Sequence, residues 1–380
     1  MELKDLRVTL DHIDNQIADL LVQRMDAVKQ VAQTKLEQNL PVFDPKRERE
    51  KLAQLGERVG DDLAPATDTL FSVLFDLSRS AQHQLIAKQS PIRDTIKNAL
   101  ENTPALPPAR PLVACQGSEG AYSQLACERL FPSANILYFT SFDSVFSAVE
   151  QGLCRYGILP LENSTAGSVN QIYDLMMRHS FYISRSCRVK VDHCLLAKKG
   201  TKLSDIREIY SHEQAISQCD GFLKDLKNVT VTACDNTALA AKKVAESDRT
   251  DTAALSSRFC AEIYGLECLE TSVQDHGSNF TRFICISKQL EIFPGANRTS
   301  LMVVVPNRRG SLYRVLSRFN ALGINLTKLE SRPLSNTDFE FMFYFDLDSS
   351  VYSDAFLQVF DDLEGVVTSI KYLGSYTEVV

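Results

Sequence analysis

The sequence predicts three domains in series: an all-α helical module that pairs into an intertwined dimer, a two-lobed α/β domain, and an α+β ferredoxin-like domain. Three observations predict this. Apolar residues recur at a 3-4 spacing through about residue 86, short apolar runs alternate with helical segments from residue 111 to about 288, and the final stretch reads β, α, β, β, α, β. A chain of 380 residues, 44% of them hydrophobic, can build a core in each domain. The expected boundaries are 1–90, a linker over 91–110, 111–288 and 298–380.

The helical module comes first. Leu3, Leu6, Leu10, Ile13, Ile17 and Leu20 form an apolar seam, and continuing the count lands on Arg24, then Ala27 and Val31. A helix to about Glu37 is followed by a break at "NLPVFDPKR" and by helices around 45–57 and 65–87. A first helix of over 30 residues carries more apolar stripe than two shorter helices can cover, so the module should pair with a second copy. A guanidinium in the seam is costly unless an anion pairs with it. That anion is either an internal carboxylate such as Asp26 or Asp44, or a ligand. Lys35, eleven residues on, returns to the face of Arg24. Arg7 lies about 26 Å from Arg24 along the axis, so only an antiparallel partner chain could bring an Arg7 to the same small ligand. "FDPKRERE" adds Asp44, Arg47 and Glu48, and the third helix offers Ser80 and Gln84 on one face. Together these suit a small dianion carrying a hydroxyl.

"LR", "LLVQRM", "TK", "PVFDPKRERE" and "SRSAQHQ" stand in the order and spacing of the all-helical chorismate mutase family, which this module resembles. The resemblance implies that Arg24, Lys35, Arg47 and the partner chain's Arg7 hold two carboxylates, and that Glu48 binds the ring hydroxyl. Lys35 and Gln84 would donate to the ether oxygen. A Claisen rearrangement needs no nucleophile, only donors and a compressed conformer.

The second domain opens at "PLVACQG", after the polar, proline-rich "QSPIRDTIKNALENTPALPPARP". "LVAC", "YGILPL", "CLLAKK" and "NVTVTAC" read as strands; "FDSVFSAVEQG" and "NTALAAKKVAES" read as helices. The length implies two lobes around a cleft. Glu162, Asn163, Ser164 and Thr165 form a polar run directly after an apolar strand, more than a helix cap requires. "NFTRF" puts Thr281 and Arg282 in a short strand, where at least one should point into the cleft. "GSEGAYSQLA", "GILPLENSTAGSV", "YSHEQAISQC" and "SNFTRFICI" resemble the prephenate dehydratase family, which implies a two-lobed fold like that of periplasmic binding proteins. By that resemblance Thr281 contacts the departing hydroxyl with Glu162 and Asn163 beside it, while Ser164, Thr165, Ser211, Gln218 and Arg282 orient the substrate.

The third domain follows a second expected spacer, "KQLEIFPGANRT". "GSLYRVLSRFNALGINLTKLESRP" within the βαββαβ pattern resembles the phenylalanine-sensing ACT module, which implies effector contacts at Gly310, Ser311, Leu312, Glu330, Ser331, Arg332 and Pro333. Tyr313 stands where the family usually has valine.

The fused arrangement resembles the bifunctional P-protein family of L-phenylalanine biosynthesis, which implies turnover of chorismate to prephenate and then phenylpyruvate, inhibited by L-phenylalanine. The alternative is a non-catalytic amino-acid sensor; the two readings part at Lys35, Gln84 and Thr281. A formal charge of −7 argues against a nucleic-acid partner. No run reaches the roughly 20 apolar residues of a membrane span, and "MELKDLRVTL" is unlike a signal peptide, so a cytoplasmic protein is expected. Ten cysteines without CxxC spacing read as reduced thiols. No HExxH, Walker A loop or dinucleotide fingerprint occurs, so neither metal nor cofactor is expected.

Overall fold

The computed structural model describes residues 2–86, 90–308, 310–334, 340–363 and 366–379, with only the backbone of His83, Gln84, Asp354 and Ala355. The N-terminal region forms α1 (Leu3–Glu37), α2 (Pro45–Val59) and α3 (Ala64–Ile86). Pro45 at the first turn and Asp44 as cap start α2; the Asp44 carboxylate accepts the Arg47 N–H at 3.0 Å. α1 packs along α3 near its C-terminal end, where Ala32 is fully buried. Toward the N-terminus Leu3, Leu6, Leu10, Ile13, Ile17 and Leu20 are all exposed, by 43% to 65%.

The expected linker is in part a packed element. α4 (Pro91–Asn102) carries Ile92, Ile96, Ala99 and Leu100 on one face, and an apolar stripe at this spacing has to be buried. It docks in the core of the C-terminal domain, and Asp361 pairs with Arg93 and accepts the Ser90 N–H at 3.0 Å. The second expected spacer is also packed: Ile292, Phe293 and Ala296 are buried, and Glu291 accepts from Tyr156 at 2.6 Å and Arg155 at 2.7 Å.

The central region has two lobes. The first contributes β1 (Leu112–Gln116), α5 (Tyr122–Leu130), β2 (Asn135–Phe139), α6 (Phe142–Glu150), β3 (Tyr156–Asn163), β4 (Gly167–Ser168), α7 (Asn170–Arg178) and β5 (Tyr182–Lys190). The chain then crosses to β6 (Cys194–Ala197), β7 (Glu208–Ser211), α8 (Glu213–Gln218), α9 (Asp220–Asp225), β8 (Thr230–Ala233), α10 (Thr237–Glu246), β9 (Thr252–Ser256), α11 (Arg258–Tyr264) and β10 (Glu267–Glu270). It returns as β11 (Phe280–Ser287), inserted between β5 and β3 of the first lobe. Both β3 and β11 therefore run the length of a buried sheet, which explains their near-continuous apolar sequence.

The C-terminal domain contains β12 (Arg298–Val305), α12 (Ser311–Ala321), β13 (Asn325–Pro333), β14 (Phe341–Asp348), α13 (Asp354–Leu363) and β15 (Ser369–Tyr376), with sheet order β13-β14-β12-β15. This is the ferredoxin-like arrangement the pattern predicts. A short β16 (Glu378–Val379) leaves it and pairs in parallel with β5, tying the C-terminal domain to the first lobe's sheet. The backbones meet at Gly374, where φ is 136° and a Cβ would lie 2.2 Å from the Ile183 carbonyl oxygen. Only glycine tolerates both conditions. Gly374→Ala is expected to cost about 3 kcal/mol and lower the melting temperature; an unchanged thermal scan would show that the contact is loose.

Candidate active sites

A cavity of about 250 Å³ lies between α1, α2 and α3. Of the residues predicted from sequence, Arg24, Lys35, Asp44, Arg47 and Glu48 line it, joined by Lys51, Phe75, Ser78, Arg79 and Gln82. Arg24 donates to the Leu74 carbonyl at 3.1 Å and to Ser78 Oγ, and its guanidinium sits 5.8 Å from the Phe75 ring centroid. Neither candidate carboxylate reaches it: Asp26 pairs with Lys29 at 3.0 Å, and Asp44 caps α2. Burial pushes the Arg24 guanidinium down from its ordinary pKa. Lys35 donates to the Val42 carbonyl at 2.6 Å. Five cations face two carboxylates on this wall, and Glu48 is already paired with Arg79. The cavity is a cationic box with unfilled demand for an anion.

Two predictions miss this cavity. Ser80 turns the other way and donates to Asp362 at 2.7 Å. Ser78 and Gln82 occupy the inner face instead, two residues earlier, because a shift of two is more than half a turn around a helix. Arg7 is exposed on α1 and does not line the cavity in one chain. The Gln84 side chain lies outside the described residues.

In the central region, polar side chains converge where the two lobes meet. The Asn163 amide donates to Thr281 Oγ1 at 3.0 Å and to Asn279 Oδ1 at 2.7 Å, and its own oxygen accepts the backbone N–H groups of Thr165 and Ala166. Asn279 in turn donates to Gln218 Oε1 at 2.9 Å, which also meets His193 Nε2 at 3.0 Å. These directions are mutually consistent: each amide is satisfied only in one orientation, and His193 must carry its proton on Nε2. Desolvation lowers the His193 pKa, which keeps the ring neutral. Thr281 accepts from Asn163, and its O–H has no acceptor among the described residues. Ser164 accepts the Phe280 N–H at 2.9 Å and donates to the Ser278 carbonyl. Ser211 is fully buried, with its hydroxyl on the Leu255 carbonyl at 2.7 Å.

Glu162 and Arg282 do not join this cluster. Asn163 pairs with Thr281 in the β3–β11 register and Glu162 pairs with Arg282, so the two pairs point to opposite faces of the sheet. On the far face Arg282 is 4% exposed and engages Asp346, Tyr376 at 2.9 Å, Glu378 at 3.2 Å and Glu162 at 3.3 Å. Glu162 also receives Lys328 at 2.6 Å. Both residues bind the C-terminal domain rather than the cleft.

The residues predicted to hold an effector divide in the same way. Gly310 caps α12 with φ at 79°, Ser311 is buried beside it and Leu312 packs on the domain core. On β13, Ser331 and Pro333 are exposed. Glu330 instead accepts from Ser168, and Arg332 grips Asp174 with two bonds of 2.8 Å, so strand alternation commits these two side chains to the first lobe.

The chorismate mutase type II family model matches residues 6–83 and the prephenate dehydratase family model matches residues 113–291. A bifunctional chorismate mutase/prephenate dehydratase from Enterobacter agglomerans is 31% identical over 98% of this chain and 95% of its own. The chain belongs to the bifunctional chorismate mutase/prephenate dehydratase family. Arogenate dehydratase/prephenate dehydratase 2 of Arabidopsis thaliana, a chloroplastic protein, is 36% identical over 74% of this chain and 80% of its own. The crystal structure of an Arthrobacter aurescens prephenate dehydratase in complex with L-Phe superposes with a TM-score of 0.65 at 27% identity, covering 70% of this chain and 89% of that one.

Sequence reasoning missed Lys51, Phe75, Ser78, Arg79 and Gln82 in the helical cavity, and Asn279 and His193 in the interlobe cluster. Asn279 was legible: it stands two residues before Thr281, and period-2 alternation puts both on one face. His193 carried no such signal, because it lies between β5 and β6 and meets Gln218 only through the fold.

Proposed function

We propose that the helical cavity rearranges chorismate to prephenate, and that the interlobe cluster converts prephenate to phenylpyruvate with loss of carbon dioxide and water. The observation that carries the first step is Arg24, inside a cationic cavity with no carboxylate partner among the described residues. Arg24, Arg47 and Lys51 hold the two substrate carboxylates in a compressed conformer, and Lys35 stabilises charge growing on the ether oxygen as the C–O bond breaks. Glu48 accepts the ring hydroxyl. In the second step Thr281 donates toward the departing hydroxyl while the carboxyl group leaves and the ring becomes aromatic. The amide chain from Gln218 to Asn163 keeps the Thr281 proton aimed at the substrate. No step calls for a metal or an organic cofactor.

The exposed stripe from Leu3 to Leu20 supports an intertwined homodimer in which the partner chain's Arg7 completes each mutase cavity. The C-terminal βαββαβ unit is read as an ACT domain that binds L-phenylalanine near Gly310, Ser311 and the exposed side of β13, and inhibits the enzyme. Its tight attachment to β3 and β11 supports that regulation. Ten free cysteines, eight of them buried, support a reducing, cytoplasmic setting.

Incubation with chorismate alone is expected to yield phenylpyruvate, and L-phenylalanine to slow its release. Accumulation of prephenate without phenylpyruvate would remove the second activity; unchanged chorismate would remove the first.

A further inference from the structure

The mutase cavity is lined by residues of the helical module, but its α3 wall is braced from outside that module. α3 lies against α13 of the C-terminal domain, and Arg318, on the neighbouring α12, reaches across that boundary to α3. Its side chain is 3% exposed. One guanidinium nitrogen donates to the Asp76 backbone carbonyl at 2.8 Å, and another sits 3.4 Å from Asp76 Oδ1. The same Asp76 oxygen accepts from Arg79, whose other terminal nitrogen donates to Glu48 Oε1. The result is an alternating line of charges, Arg318, Asp76, Arg79 and Glu48, running from a buried interdomain contact to the cavity wall. Among the described residues lining the cavity, Glu48 is the one carboxylate not used as a helix cap.

We propose that Arg318, a residue of the C-terminal domain, is a positioning residue of the mutase reaction, acting through Asp76 and Arg79 on Glu48. This rests on the reading of the helical cavity as the mutase site. In a buried line of alternating charges no member is independent: removing one leaves its neighbour uncompensated, and that neighbour moves toward whatever charge remains. Without Arg318, Asp76 has Arg79 as its sole cationic partner and draws the fork away from Glu48. Glu48 then loses the orientation in which it accepts the substrate hydroxyl. The cations that hold the substrate carboxylates are untouched, so affinity should survive while turnover falls. Gly310 caps α12, so the helix opening the expected effector site is the one that braces the mutase wall.

The test uses full-length enzyme and measures each reaction separately, from chorismate and from added prephenate. Arg318→Gln and Asp76→Asn are each expected to lower the mutase kcat about tenfold, since misplacing a reacting geometry by a fraction of an ångström costs this much. KM for chorismate should stay within about threefold, and dehydratase turnover of prephenate within about twofold. Arg318→Lys should recover most of the lost rate, and the Arg318→Gln/Asp76→Asn double variant should be no slower than the worse single one, because both break one unit. Wild-type mutase kcat in Arg318→Gln would overturn the proposal. Should that variant lose both activities through misfolding, Asp76→Asn decides: an unchanged mutase kcat there overturns it as well. Absence of mutase activity in the wild-type enzyme is a different result, which removes the mutase reading itself.

Discussion

Thr281→Val is expected to lower the dehydratase kcat about 10³-fold while mutase turnover stays within about twofold. Valine keeps the volume and branching of threonine, so the strand and its packing persist and only the hydroxyl is lost. The size of the effect follows from how the hydroxyl is held. Asn163 donates to Thr281 Oγ1, and the Asn163 oxygen is occupied by two backbone N–H groups, so in the proposed reaction the Thr281 proton is left for the substrate. A donor held this way requires no reorganisation when the leaving hydroxyl gathers charge. Prephenate should therefore accumulate when the variant is supplied with chorismate. A Thr281→Val enzyme that still releases phenylpyruvate at the wild-type rate would move the proton donor elsewhere in the cluster.

Arg24→Ala should lower mutase activity about 10³-fold and leave the dehydratase near wild type. The half-buried arginine is held by a carbonyl, a hydroxyl and a ring and shares its cavity with four other cations, an expensive place for a charge unless an anionic ligand uses it. Its loss should also make the free protein slightly more stable, because one of five clustered cations is gone. Lower activity with unchanged or higher Tm separates a ligand-binding arginine from a structural one. Arg7→Ala should be similarly inactive if the dimer shares sites. A dimer with one Arg7→Ala chain and one Arg24→Ala chain then contains one intact cavity, and should recover about half the wild-type activity. No recovery in verified mixed dimers would mean that each chain completes its own cavity.

Periodicity alone placed a helical region ahead of an α/β region and a final βαββαβ unit, and picked out most of the cationic wall. Apolar periodicity is local and strong over α1, β3, β11 and the βαββαβ unit, and a buried charge in an apolar seam is conspicuous before any fold is known. Which side chains face the cavity and the interlobe cluster depended on how the elements pack. Glu162 and Arg282 neighbour Asn163 and Thr281 in sequence yet bind the C-terminal domain, because a strand sends adjacent residues to opposite faces and sequence does not say which face is the cleft. Ser80 and Ser78 divide in the same way on α3, where two positions turn a side chain more than half-way round the helix. The contacts of Arg318 with Asp76 and of His193 with Gln218 join residues far apart in the chain, or on different elements, with no periodic signal. They exist only because the domains pack as they do.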